Sequence, residues 1–250
     1  MVKCWASVIG GCSSEQSGEH YISQSLFSDS VKISGYKWLG GETKTIGSTP
    51  KAKILWRKHN SALSVLNAHA GEAFSELREL QRMYSVRLTL GRQRHWSIRG
   101  HQIDGLKFER WVAKAVIGLF CVVGKEDRWH RTGTPPIEPP SDIVEAVFGL
   151  RAFEKPMGLW FAQGIGKPTQ YVDGVSVTPM VDPETNGLSA ALLEFSGISF
   201  LVWFDTEKLA SFTTHDGAYF GPGGEEPLYH PKRMDFRISG SRSHYLKFIW

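Results

Sequence analysis

Two stretches of the chain carry a helical period. Leu63, Leu66, Ala70, Ala73, Leu77, Leu80 and Tyr84 recur at spacings of three and four, which places them on one stripe of a helix. Asn60 or Ser61 stands where a side chain can cap the first turn, whose N–H groups lack partners inside the helix. After Asp104-Gly105, a second and wider face is made by Phe108, Trp111, Val112, Ala115, Val116, Leu119 and Val122, broadened by Ile117, Phe120 and Cys121. This helix is expected to be buried on most sides, with Cys121 an inert core thiol.

Elsewhere the pattern is that of strands. Residues 2–8, 19–23, 31–38 and 52–56 read as short strands, punctuated by Gly10-Gly11, Gly40-Gly41 and Gly47-Ser48-Thr49-Pro50. Pro135, Pro136, Pro139 and Pro140 mark a boundary, after which Ser141 is placed to cap a short helix over 142–150. Strands follow over 158–162, 171–179, 188–195, 198–204, 235–239 and 243–250, with a Gly-rich loop at 217–226; the run 198–204 is apolar enough to be the most buried. The expected fold class is α+β. Residues 1–125 form a strand-strand-helix unit extended by two long helices, and residues 141–250 a mainly antiparallel sheet.

Charge adds a direction to this picture. Residues 1–114 hold seventeen Lys/Arg against nine Asp/Glu, a balance of +8, whereas residues 115–250 hold twelve against sixteen, or −4. A basic front half is the footprint of a polyanion binder. Its densest part is the connector 86–103, where Arg87, Arg92, Arg94, His95, Arg99 and His101 surround Trp96, a composition suited to phosphate contacts. Three cysteines, Cys4, Cys12 and Cys121, are too few for a disulfide framework and fit a reducing compartment. No apolar run reaches the roughly 18 residues of a transmembrane helix, and the first residues lack a signal-peptide pattern. A cytoplasmic protein without a membrane partner is expected. His215-Asp216 and His230-Pro231 suggest a second site, but without matching spacing they read rather as polar loop residues.

The candidate chemistry lies before the first helix. Cys4 and Cys12 precede Glu19-His20 at the head of a predicted strand, and Ile54-Leu55-Trp56-Arg57-Lys58 runs into His59-Asn60 at the mouth of the helix. Over residues 1–70 this arrangement resembles the HNH endonuclease superfamily (treble-clef, ββα-metal), in its bacterial branch with an E-H and an L-C-x-x-H-N pattern. The resemblance implies an HNH-like ββα unit that cleaves DNA, with His20 as general base. Glu19 and Asn60 match the ligands of Mg²⁺ or a similar divalent cation, and Cys4, Cys12 and His59 match those of a structural Zn²⁺. Two positions depart from the pattern. Trp56 stands where it has a cysteine, and the middle Asn is missing, Ser48 and Thr49 being the nearest polar residues. A protein that keeps the scaffold for nucleic-acid binding or structure, without catalysis, is the alternative; in a third reading the C-terminal sheet carries the main activity.

Overall fold

The computed structural model describes residues 4–20, 30–33, 42–47, 51–90, 97–123, 128–129, 139–161, 175–181, 187–195, 198–205, 228–239 and 242–250. After a short 3-10 turn, Ser7–Ile9, come β1 (Gln16–His20), β2 (Ser30–Ile33), β3 (Lys44–Gly47) and β4 (Lys51–Trp56). The long helix α1 (Arg57–Leu90) follows, then β5 (Gly100–Asp104) and α2 (Gly105–Val123). Next are β6 (Arg128–Trp129), α3 (Ser141–Phe148), β7 (Gly158–Phe161), β8 (Val175–Val181) and β9 (Gly187–Phe195). The described chain ends with β10 (Ile198–Trp203), β11 (Leu228–Tyr229), β12 (Arg233–Ser239) and β13 (Arg242–Ile249). This is an α+β fold in which antiparallel pairing dominates.

The apolar stripe of α1 is buried as its period requires: Leu63, Leu66, Ala70, Ala73, Leu77 and Leu80 are all inaccessible to solvent or nearly so. The wide face of α2 packs against it. Phe74 of α1 joins both helices to the sheet, edge-on to Trp111 of α2 at 5.1 Å and to Phe195 of β9 at 4.3 Å. Such pairs each add about 0.5–1.5 kcal/mol beyond the area they bury. β10 is buried along its whole length, as its unbroken apolar run predicts.

Among the described residues, three sheets pack with the helices. β1 and β4 form an antiparallel pair, β12-β13-β5 a second sheet, and β11-β7-β10-β9-β8-β2-β3 the largest, with β6 beside β9. Segments 1–125 and 141–250 share two of them: β2 lies parallel to β8, and β5 parallel to β13. One apolar cluster runs from Cys4 and Trp5 through α1 and α2 to Phe248.

Several local expectations are corrected. Residues 4–9 form turns and not a strand: Cys4, Trp5 and Ala6 are buried in succession, which the alternating faces of a strand at a sheet surface do not allow. α1 begins at Arg57, so Asn60 lies in its first turn and turns its amide to Ser17. The first-turn N–H groups are met from outside the helix, Arg57 N–H by the Glu15 carbonyl (2.8 Å) and Lys58 N–H by Ser13 Oγ (3.4 Å). Ser141 is the first residue of α3 and caps nothing; Pro140 holds the cap position, and its carbonyl accepts from Val144 N–H. Cys121 is half-buried against the core rather than enclosed by it. The basic connector is split, its start belonging to α1 and its end to β5. Residues 21–23, 34–38 and 217–226, with Trp96, Pro135, Pro136 and His215-Asp216, lie outside the described residues. No helix among the described residues is long and apolar enough to cross a membrane.

Candidate metal centre

Three of the sequence-nominated residues meet where β4 passes into α1. His59, in the first helical turn, is 5% exposed and comes up against Cys4 from a segment 55 residues earlier, with Nδ1 at 3.2 Å from Sγ. The Trp5 N–H bond to the Ile54 carbonyl fastens that segment to β4. The chain then reverses through Gly10 (φ 72°) and Gly11 (φ 67°), both in the left-handed region where a Cβ is strained. This reversal delivers Cys12 to the same place. The donor atoms of Cys4, Cys12 and His59 lie within 4.8 Å of one another.

The reversal also sets the histidine tautomer. The Gly10 carbonyl can only accept, so His59 Nε2–H donates to it at 2.9 Å, and a neutral ring then presents its Nδ1 lone pair to Cys4. An imidazole held through its far nitrogen by a backbone carbonyl is the orientation that metal-ligating histidines adopt. Phe148 of α3 packs edge-on to His59 (5.5 Å) and against Trp5, closing the apolar side. Burial pushes the Cys4 thiol above its ordinary value; N–H groups of Trp56 and Ala6 pull it down by less, and neighbouring Cys12 raises it further. Cys4 therefore keeps its proton at neutral pH unless a cation displaces it. Cys12, in contrast, is exposed.

Two thiolates and an imidazole are the borderline-soft set that suits Zn²⁺, so the residues fit that ion; Mg²⁺, which takes oxygen ligands, does not belong here. Among the described residues no fourth His, Cys, Asp or Glu joins the three.

The other nominated residues stand around this centre. Asn60 is half-buried, and its Nδ2 donates to Ser17 Oγ at 2.8 Å. Glu19 and His20 lie in β1 opposite Ala52 and Lys51, past a register shift that follows Ser17; their side chains lie outside the description. Arg87 falls within α1, its side chain likewise outside the description, and Arg92 and Arg94 lie outside the described residues. Arg99 is exposed at the entry to β5, its N–H donating to His244 Nδ1 and its carbonyl accepting from Tyr245 N–H.

Sequence reasoning missed Gly10 and Ser17 as partners of His59 and Asn60; the Gly10-Gly11 pair, needed for a left-handed turn, was the available signal. It also missed a dyad outside the candidate metal centre. Glu109 of α2, almost fully buried, meets His230 Nε2 at 2.6 Å and accepts from Leu159 N–H at 2.7 Å. The His230 ring is stacked on Trp250 at 3.8 Å, on a backbone of φ 44°. Comparison of the chain with protein-family models, with curated proteins and with solved structures gave no significant match.

Proposed function

We propose that the chain is a metal-dependent nuclease of the HNH type that cleaves phosphodiester bonds in DNA, with β1, β4 and the start of α1 as its ββα unit. The observation that carries this reading is the meeting of Cys4, Cys12 and His59 at the junction of β4 and α1. A zinc ion there would tie the N-terminal turn to the helix and hold a hairpin too small to be stable by its own burial.

His20 is the general base, taking a proton from the attacking water, because imidazole exchanges protons near neutral pH. Glu19 and Asn60 Oδ1 would hold Mg²⁺ or a similar cation, which when bound supplies positive charge to the scissile phosphate. The bond from Asn60 Nδ2 to Ser17 supports this role, since it fixes the amide plane and leaves Oδ1 for a cation. Arg87, Arg92, Arg94 and Arg99 contact DNA phosphates, in keeping with the +8 balance of residues 1–114.

The test is cleavage of plasmid DNA with Mg²⁺ or Mn²⁺. Loss of a general base typically costs about 10²–10⁴-fold, so His20→Ala is expected to lower the rate by that order while DNA affinity is kept. A wild-type protein that cleaves no form of DNA with either ion refutes the enzyme reading. The second reading, a DNA-binding or structural protein without catalysis, is favoured by the three zinc donors found among the described residues where a closed site has four. It predicts salt-dependent DNA binding, unchanged in His20→Ala, and no cleavage.

A further inference from the structure

Resting on the zinc reading above, we propose that the metal held by Cys4, Cys12 and His59 takes its fourth ligand from solution, as the thiolate of a small soluble thiol. Zinc in a closed protein site is tetrahedral, and the described residues supply three donors. Residue 56 borders them, at the end of β4 and three positions before His59. Its side chain is an indole, which has no lone pair to give a metal and packs half-buried against the core. Among the described residues, the helix side of the centre therefore contributes His59 alone.

The side open to solvent is built to admit an anion. Cys12 is exposed, and the two residues before it are glycines with no side chain to cover the ion. The Lys58 ammonium lies over this turn, its Nζ 3.1 Å from where a Cβ on Gly11 would be. A doubly charged ion, two thiolates and a neutral imidazole sum to zero, so Lys58 leaves the face positive and favours an incoming negative charge. Among anions, sulfur suits this ion and this donor set better than oxygen does. Binding would form one metal–sulfur bond as the thiol S–H bond breaks, the proton and the solvent molecule displaced from the metal both leaving to bulk water.

The test loads the purified chain with Co²⁺ in place of zinc, cysteines kept reduced with a phosphine, and titrates 2-mercaptoethanol or inorganic phosphate. Thiol is expected to raise the sulfur-to-cobalt charge-transfer absorption about 1.5-fold, as two thiolates become three, and phosphate to leave it unchanged. Trp56→Cys supplies the sulfur internally: its cobalt spectrum starts at the higher intensity, ignores added thiol, and its zinc affinity rises at least about tenfold. Trp56→Phe keeps three donors and an aromatic ring, so it responds to thiol as wild type does, which covers the case in which the cysteine variant fails to fold. Cobalt binding with a spectrum indifferent to thiol overturns this inference and leaves the zinc reading standing, as does a response to phosphate alone. A chain that binds neither Co²⁺ nor Zn²⁺ overturns both.

Discussion

The contact between Glu109 and His230 offers a stringent test of the packing. Oε1 of Glu109 receives two donors, Leu159 N–H at 2.7 Å and His230 Nε2 at 2.6 Å, and the carboxyl is almost fully buried. Glu109→Met keeps the length of the side chain and removes the acceptor. Each buried donor left without a partner costs about 1–3 kcal/mol, and His230 is 18% exposed, so its share falls at the low end. The expected loss is about 2–4 kcal/mol. Glu109→Gln retains an Oε1 that can accept from both donors and loses only the assistance of charge, for about 1 kcal/mol. Gly158→Ala attacks the same contact from the other side: a Cβ there lies 2.4 Å from Oε1, on a backbone of φ 117°. Urea unfolding followed by tryptophan fluorescence measures all three, an unchanged slope showing that the midpoints report stability. Glu109→Met and Glu109→Gln within 1 kcal/mol of each other would mean that Oε1 does not hold the two donors.

Two further outcomes are expected from perturbed ionisations. Burial raises the Asp104 carboxyl, but the Lys107 ammonium and N–H, which Asp104 Oδ1 caps at 3.0 Å, outweigh it and hold the pKa below its ordinary 3.8. Its contribution is thus present above pH 3.8 and lost as pH falls through the lower folded value; Asp104→Ala should cost about 1 kcal/mol at pH 7, and the gap to wild type should close in acid unfolding curves. A gap that persists at the acid end would assign the loss to something other than the carboxylate. Burial and the neighbouring Glu109 charge push Tyr229 up to about 12, so the fold favours the neutral phenol and loses stability as pH rises from 10 through that value. In a spectrophotometric titration, Tyr229→Phe should remove one phenol that ionises well above 10; loss of one that ionises near 10 would contradict the burial of this side chain.

What the sequence made legible follows from the range of the signal. The stripe of α1 and the apolar run of β10 are local patterns with a fixed period, and both are buried as read. β5 was hidden in the basic connector, because Ile103 is the single apolar residue in Gly100–Asp104; the strand exists through its pairing with β13, more than 130 residues away. The pairing of β2 with β8 is equally non-local. At the candidate metal centre Cys4, Cys12 and His59 were nominated by the resemblance to the HNH pattern, and the chain brings them together. Ser17 and Gly10 act through one hydroxyl and one carbonyl, groups so common that nothing in their identity announces a partner. Glu109 and His230 lie 121 residues apart, and no local pattern links them.

The same few residues join the metal centre to the start of the helix. From Gly10 to Glu15 the chain supplies a carbonyl to His59, a sulfur at Cys12, a hydroxyl to Lys58 N–H and a carbonyl to Arg57 N–H, before β1 begins at Gln16. The Arg57–Glu15 ion pair is exposed on both sides and adds little, so hydrogen bonds carry the junction, reinforced by the metal where the proposed zinc is bound. In register, Gln16 faces Trp56 and Ser17 faces Leu55, so the first rung of the β1–β4 pair sits directly beside the first turn of α1. An ion that pulls Cys12 toward Cys4 and His59 therefore also sets the loop that satisfies the free N–H groups of α1 and the strand that bears Glu19 and His20. In the proposed nuclease this makes the zinc centre a positioning element for the base: metal occupancy acts on the geometry of β1, and through β1 on His20.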